Sequence, residues 1–148
     1  MAGSVTRKFD ELVETLRKTA GHRLVVTRSG IRLRATSKNG FDVQVRRSVG
    51  GEYTVRFGGW KCHAGRPEAV YDLLLMAFSS SCRLRVDSKG DVDYCWTVEV
   101  ERDMQWEPAH STRKLFYRFW GEHAVRYLNN EPILELPKWT APPAREAA

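Results

Sequence analysis

Apolar residues recur along the chain with two different periods, and each period predicts a different kind of element. Over residues 5–19, Phe9, Leu12, Val13 and Leu16 fall at helical spacing with charged residues between them, and Gly21 follows. That spacing predicts an amphipathic helix with one buried stripe and a glycine stop. The next forty residues change to period two. Leu24 and Val26, then Ile31, Leu33 and Ala35, then Phe41, Val43 and Val45, then Tyr53, Val55 and Phe57 alternate with polar residues. Alternation with one apolar face is the pattern of half-buried antiparallel strands.

Cross-strand partners must share a face, so the turns propose a register. Val26 opposite Leu33 leaves Ser29 and Gly30 as a tight loop. Leu33 opposite Val45, and Val45 opposite Tyr53, leave three-residue loops ending in Gly40 and Gly50. A glycine at that place suits a type I turn closed by a left-handed residue. The expectation is a four-stranded meander.

Gly58 and Gly59 then interrupt the alternation. Pro67 suits the first turn of a second helix, whose apolar stripe is Val70, Leu73, Leu74, Ala77 and Phe78. A second hairpin follows, with Leu84 and Val86 facing Tyr94 and Val92, and its second strand running on through Trp96, Val98 and Val100. Past Pro108, Ser111 and Thr112 are a candidate helix cap, residues 123–129 read as a short helix carrying Val125 and Leu128, and residues 133–136 as a short edge strand. Residues 137–148 read as a mobile Pro- and Ala-rich tail with Trp139 its one adhesive side chain.

The expected fold is therefore α+β, a two-layer sandwich in which an antiparallel sheet of about six strands carries helices on one face. The expected order is α-β-β-β-β-α-β-β-α, in a single domain over residues 1–136. This order is similar to that of type III secretion chaperones, which dimerise and bind extended partner segments. The resemblance is one of topology and implies no role for any single residue.

Composition narrows the class. The 148 residues are 42% hydrophobic and 28% charged, a globular balance that excludes global disorder. No apolar run approaches the ~18 residues of a membrane span, and the first residues lack the apolar core of a secretory signal. Three cysteines at irregular spacing do not form a disulfide framework. A soluble cytoplasmic protein without a membrane partner is the expectation.

Charge changes the picture more. The net charge is +6, and 17 of the 24 basic residues are Arg. Residues 21–61 hold nine Lys and Arg against two acids, a local +7, whereas residues 82–107 hold four against seven, a local −3. On the proposed register Arg32, Arg34, Arg46 and Arg56 lie on the uncovered face of the meander, with Arg32 opposite Arg46. Like charges so placed repel unless an acid or anion sits between them. Trp60 and Lys61 are expected on the rim beside them. These six residues are the candidate binding residues; the plainer alternative is a solvated sheet face.

The leading functional expectation is a non-enzymatic binding or adaptor domain, self-associating, that contacts an acidic protein or an anion through this face. One alternative is nucleic-acid binding by the first four strands. Phe41, Tyr53, Phe57, Tyr94 and Trp96 all alternate onto the covered face, however, which leaves no aromatic platform for bases. A second alternative is a ligand or enzymatic pocket lined by Trp60, His63, Tyr94 and Trp96. The aromatic run Phe116, Tyr117, Phe119 and Trp120 either closes the core or forms a partner or dimer surface.

Catalytic chemistry finds little support. Cys62 and His63 are neighbours on an extended segment, so they point to opposite sides and do not form a nucleophile–base pair. Cys82 and Cys95 fall on different faces, and no metal-ligand spacing occurs. Asp93, Glu99 and Glu101 share a strand face, with Asp93 expected opposite Arg85, but no visible pocket separates their titration. No nucleotide-binding or acyl-transfer motif is present. No cofactor and no metal are expected.

Overall fold

The computed structural model describes residues 10–11, 13–19, 24–35, 37–115, 120–133 and 136–141. Helix α1 covers residues 13–19, with Leu16 buried and Val13 half-buried against the core. Phe9 and Leu12 lie outside the described residues. Five antiparallel strands follow: β1 (Leu24–Thr27), β2 (Gly30–Leu33), β3 (Val43–Arg47), β4 (Tyr53–Phe57) and β5 (Trp60–Ala64), hydrogen-bonded in that order. Helix α2 (Pro67–Ala77) leads to β6 (Cys82–Lys89), β7 (Val92–Arg102), β8 (Gln105–Arg113) and β9 (His123–Leu128). These form a second antiparallel sheet in the order β8-β7-β6-β9.

The α+β character is as expected, but the single sheet of about six strands is replaced by two sheets of five and four. Two local readings account for the difference. Gly58 and Gly59 do not end the meander; they turn it, with Phe57 opposite Trp60 and Gly58 at φ +58°. A glycine pair between alternating segments is a hairpin signal. The second reading concerns the C-terminal third. Ser111 and Thr112, considered as a helix cap, lie inside β8, and residues 123–128 form a strand along the free edge of β6 rather than a helix. Val125 and Tyr127 favour an extended chain, and the open edge of β6 supplies the partners. With nine strands in two sheets among the described residues, the element order that resembled type III secretion chaperones no longer holds.

The hairpins of the meander also pair two residues away from the proposed register. Val26 faces Ile31, Leu33 faces Val43, and Val45 faces Val55. In the β3–β4 loop the left-handed glycine is Gly51 (φ +86°), not Gly50, and the Ser48 amide donates to the Glu52 carbonyl at 2.8 Å. A shift of two keeps every side chain on its expected face while changing its neighbours. Arg32 lies opposite Val25 and Gln44, and Arg46 opposite Gly30 and Thr54, so the expected Arg32–Arg46 pair does not form. In the second sheet Arg85 faces Thr97, and Asp93 faces Ser88.

One core serves both sheets. Leu33, Val43, Phe57 and Trp60 form one row across the first sheet, Ile31, Val45 and Val55 the next. Helix α2 adds Val70, Leu74 and Ala77; the second sheet adds Cys82, Leu84, Val86, Val98 and Val100. Residues 136–141 run against this core through Leu136, Trp139 and Ala141, and the Ser79 hydroxyl donates to the Trp139 carbonyl at 3.1 Å. Among the described residues no helix is long and apolar enough to cross a membrane.

Candidate functional site

The outer face of the first sheet is built by alternation alone. One row across the strands reads Val25, Arg32, Gln44, Arg56, Lys61; the next reads Thr27, Gly30, Arg46, Thr54, His63. Asp42 is the carboxylate nearest in chain to the start of β3, and it is engaged. Its Oδ2 accepts from Arg32 Nη2 at 3.1 Å, and its Oδ1 accepts the Ala35 amide at 2.8 Å. Arg46, Arg56 and Lys61 are exposed and form no ion pair with any described carboxylate. Together with Gln44 and Thr54 they line a shallow depression of about 220 Å³. Arg56 and Lys61 stand directly opposite each other across β4 and β5, a repulsive placement in the absence of a counter-charge.

The surroundings hold these groups in place. The Thr54 hydroxyl lies within hydrogen-bond distance of His63 Nδ1, at 3.4 Å. The backbone of Lys61 is gripped on both sides by one side chain of the second sheet: its amide donates to Thr112 Oγ1 at 3.0 Å, and its carbonyl accepts the Thr112 hydroxyl at 3.1 Å. Lys61 thus projects from a strand edge pinned to β8.

The other sequence candidates separate from this cluster. Arg34 is exposed beyond the end of β2, where it borders a small recess with Phe41, Phe78 and Asn130. Trp60 is a correction to the rim expectation, because the Gly58–Gly59 turn reverses the chain and sends its ring inward. It is 2% exposed, stacks on Phe57 at 4.8 Å, and its Nε1 donates to His110 Nδ1 at 3.0 Å. Trp120 is 62% exposed; Phe116, Tyr117 and Phe119 lie outside the described residues. The proposed Trp60–His63–Tyr94–Trp96 pocket is not assembled. Trp60 is in the core, His63 faces out beside Thr54, and Tyr94 packs toward His123 with ring centroids 6.3 Å apart.

The second sheet treats its charges differently. On its outer face the Arg83 guanidinium lies 4.2 Å from the Trp106 ring centroid and 4.0 Å from that of Tyr127, while its Nε donates to Glu99 at 2.7 Å. Arg85 and His123 both contact Asp87 Oδ1, at 3.1 and 2.9 Å. Asp93 accepts two hydrogen bonds from Arg126 at 2.6 and 2.7 Å, and this pairing holds its carboxyl below the usual aspartate value. Sequence reading missed this network because its partners sit on β8 and β9. The signal that was available is the placing of Trp106 and Tyr127 within otherwise polar, alternating segments.

Two of the thiols are held in the protonated form by burial. Burial pushes Cys82 up to about 12 and raises Cys62 as well, and a protonated thiol is a poor nucleophile. Compared with known protein families, curated proteins and solved structures, the chain matches none.

Proposed function

We propose that this protein is a binding domain that holds an anionic partner on the outer face of its first sheet. The observation that carries the reading is the contrast between the two sheets. Arg83, Arg85, Asp87, Asp93 and Glu99 are internally paired on the second sheet, whereas Arg46, Arg56 and Lys61 share a depression that no described carboxylate neutralises. Adjacent cations on a sheet repel one another, and an anion between them removes that repulsion while gaining charge-assisted hydrogen bonds. The two rows that form this face contain no Phe, Tyr or Trp, and their one ring, His63, lies beside the Thr54 hydroxyl, so bases of a single strand would find little stacking surface there. The reading therefore favours an anionic group or acidic partner over single-stranded nucleic acid.

The test is a fluorescence-anisotropy comparison of an oligoglutamate peptide, a polyphosphate and a single-stranded oligonucleotide across a salt series. Anion binding that weakens with salt, and that falls roughly tenfold or more in the Arg46→Glu, Arg56→Glu double variant, is the expected result. Affinity unchanged by that double charge reversal, with the fold intact by circular dichroism, overturns the assignment.

A further inference from the structure

We infer that the depression between β3, β4 and β5 is a site for a single phosphate monoester group carried by a soluble compound. This rests on the anion-binding reading of the same face and names its ligand. The first ground is the arrangement of charge. Lys61 stands opposite Arg56, and Arg46 occupies the adjoining row on the neighbouring strand, so the three cations form a compact triangle rather than a line. An extended acidic polypeptide spreads its carboxylates along a path of ~3.3 Å per residue. A triangle concentrates its field on one group.

The second ground is the donor inventory. The Gln44 amide and the Thr54 hydroxyl complete the lining, so all five lining side chains can donate hydrogen bonds and three of them are cationic. A carboxylate brings one charge and two oxygens. A phosphate monoester brings about −1.5 to −2 and three terminal oxygens, which matches this lining more fully. Bidentate recognition of phosphate oxygens is also the particular strength of arginine.

The third ground is size. The depression is shallow and open, with about 220 Å³ of space over its floor. That volume accommodates a phosphate and its ester linkage, and it falls short of the ~300–1,000 Å³ of pockets that enclose a whole small molecule. The site therefore grips the phosphate and leaves the remainder of the compound in solvent. In the two rows the exposed apolar side chain is Val25, on β1, with β2 and β3 between it and Arg56. Nothing in those rows next to the cations is suited to enter a bilayer, which is why a soluble ester is the expected carrier.

The experiment is an NMR titration of the full chain, isotopically labelled, at constant ionic strength. The probes are glycerol phosphate, a hexaglutamate peptide, and phosphatidylcholine vesicles containing phosphatidic acid. Glycerol phosphate is expected to produce saturating shifts at the amides of Gln44, Thr54, Arg56 and Lys61, with a Kd roughly tenfold below that of hexaglutamate. Arg56→Gln and Lys61→Gln should each raise that Kd by about fivefold or more, while Arg34→Gln leaves it unchanged. Preserved peak dispersion in each variant shows that the fold is intact. Hexaglutamate binding as tightly as glycerol phosphate, with the same variant dependence, overturns the phosphate assignment and leaves the anion-binding reading standing. No response to any of the anions overturns both. Vesicles that bind at lower phosphate concentration than glycerol phosphate overturn the soluble carrier.

Discussion

Arg83 illustrates how shape and charge combine in one side chain. Its guanidinium is clamped between Trp106 and Tyr127 and bonded to Glu99, which is 6% exposed. Truncating Arg83 to Met leaves that carboxylate buried without a partner, at a cost of ~3 kcal/mol. Lysine keeps the charge but not the planar fork that stacks between two rings. Arg83→Lys should therefore still lose about 1–2 kcal/mol in urea denaturation, and full recovery by lysine would show that charge alone suffices. The Asp93–Arg126 pair behaves otherwise. Its guanidinium is half exposed, so solvent screening limits the pair to ~0.5–1 kcal/mol despite its two short hydrogen bonds. Because Arg126 lowers the Asp93 pKa, the contribution is present above the ordinary aspartate value of about 3.9 and is lost as pH falls through the lowered one. Asp93→Asn should destabilise the protein at pH 7, and the gap to the parent should close progressively in acid when urea midpoints are compared.

At the scale of elements, turns decide more than strands do. The Gly58–Gly59 reversal brings β5 into the first sheet and sets Gly59 against the Trp96 indole, where an added Cβ would overlap three ring atoms. Gly59→Ala should cost ~2 kcal/mol or more in thermal or urea unfolding, whereas Gly65→Ala, with open space around it, should stay within about 0.5 kcal/mol. Equal effects at the two positions would show that this close approach does not set the turn. The same reversal explains what could be read in advance. Arg46 and Arg56 were legible as outward-facing because alternation by twos survives a register slip by two. Their neighbours were not legible. Gly50 and Gly51 are both able to take a left-handed conformation, and the chain chose Gly51; that choice moves Tyr53 opposite Arg47 rather than Val45. The β2–β3 hairpin slips by two on its own account, so Arg32, expected against Arg46, stands opposite Gln44 and meets Asp42.

At the scale of the whole molecule, a few polar side chains join the layers. Asn130 is buried, accepts the Phe41 amide at 2.9 Å and donates to the Ala77 carbonyl at 3.4 Å, tying the approach to β3 to the end of α2. Asn130→Ala would leave a buried amide unsatisfied, and a loss of ~2–3 kcal/mol in global unfolding is expected. A neutral effect would mean that water replaces the side chain. Asn129 and Thr112 make the corresponding ties to β6 and β5.

The alternation of apolar and polar residues by itself determined that β1 to β4, β6 and β7 are antiparallel strands, that α1 and α2 bury one stripe, and that Arg32, Arg46 and Arg56 point away from the core. These are local properties, because the face a side chain takes follows from its position relative to its immediate neighbours. The number of sheets, the strand beside each strand, and the partner of each charge were decided by the tertiary structure. Backbone hydrogen bonding is the same for any two strand edges, so a strand's sequence does not name its neighbour. Arg126 reaches Asp93, and Thr112 reaches Lys61, across long stretches of chain. Arg46, Arg56 and Lys61 come together as a basic cluster because folding sets β3, β4 and β5 side by side, while Arg32 beside them is paired with Asp42.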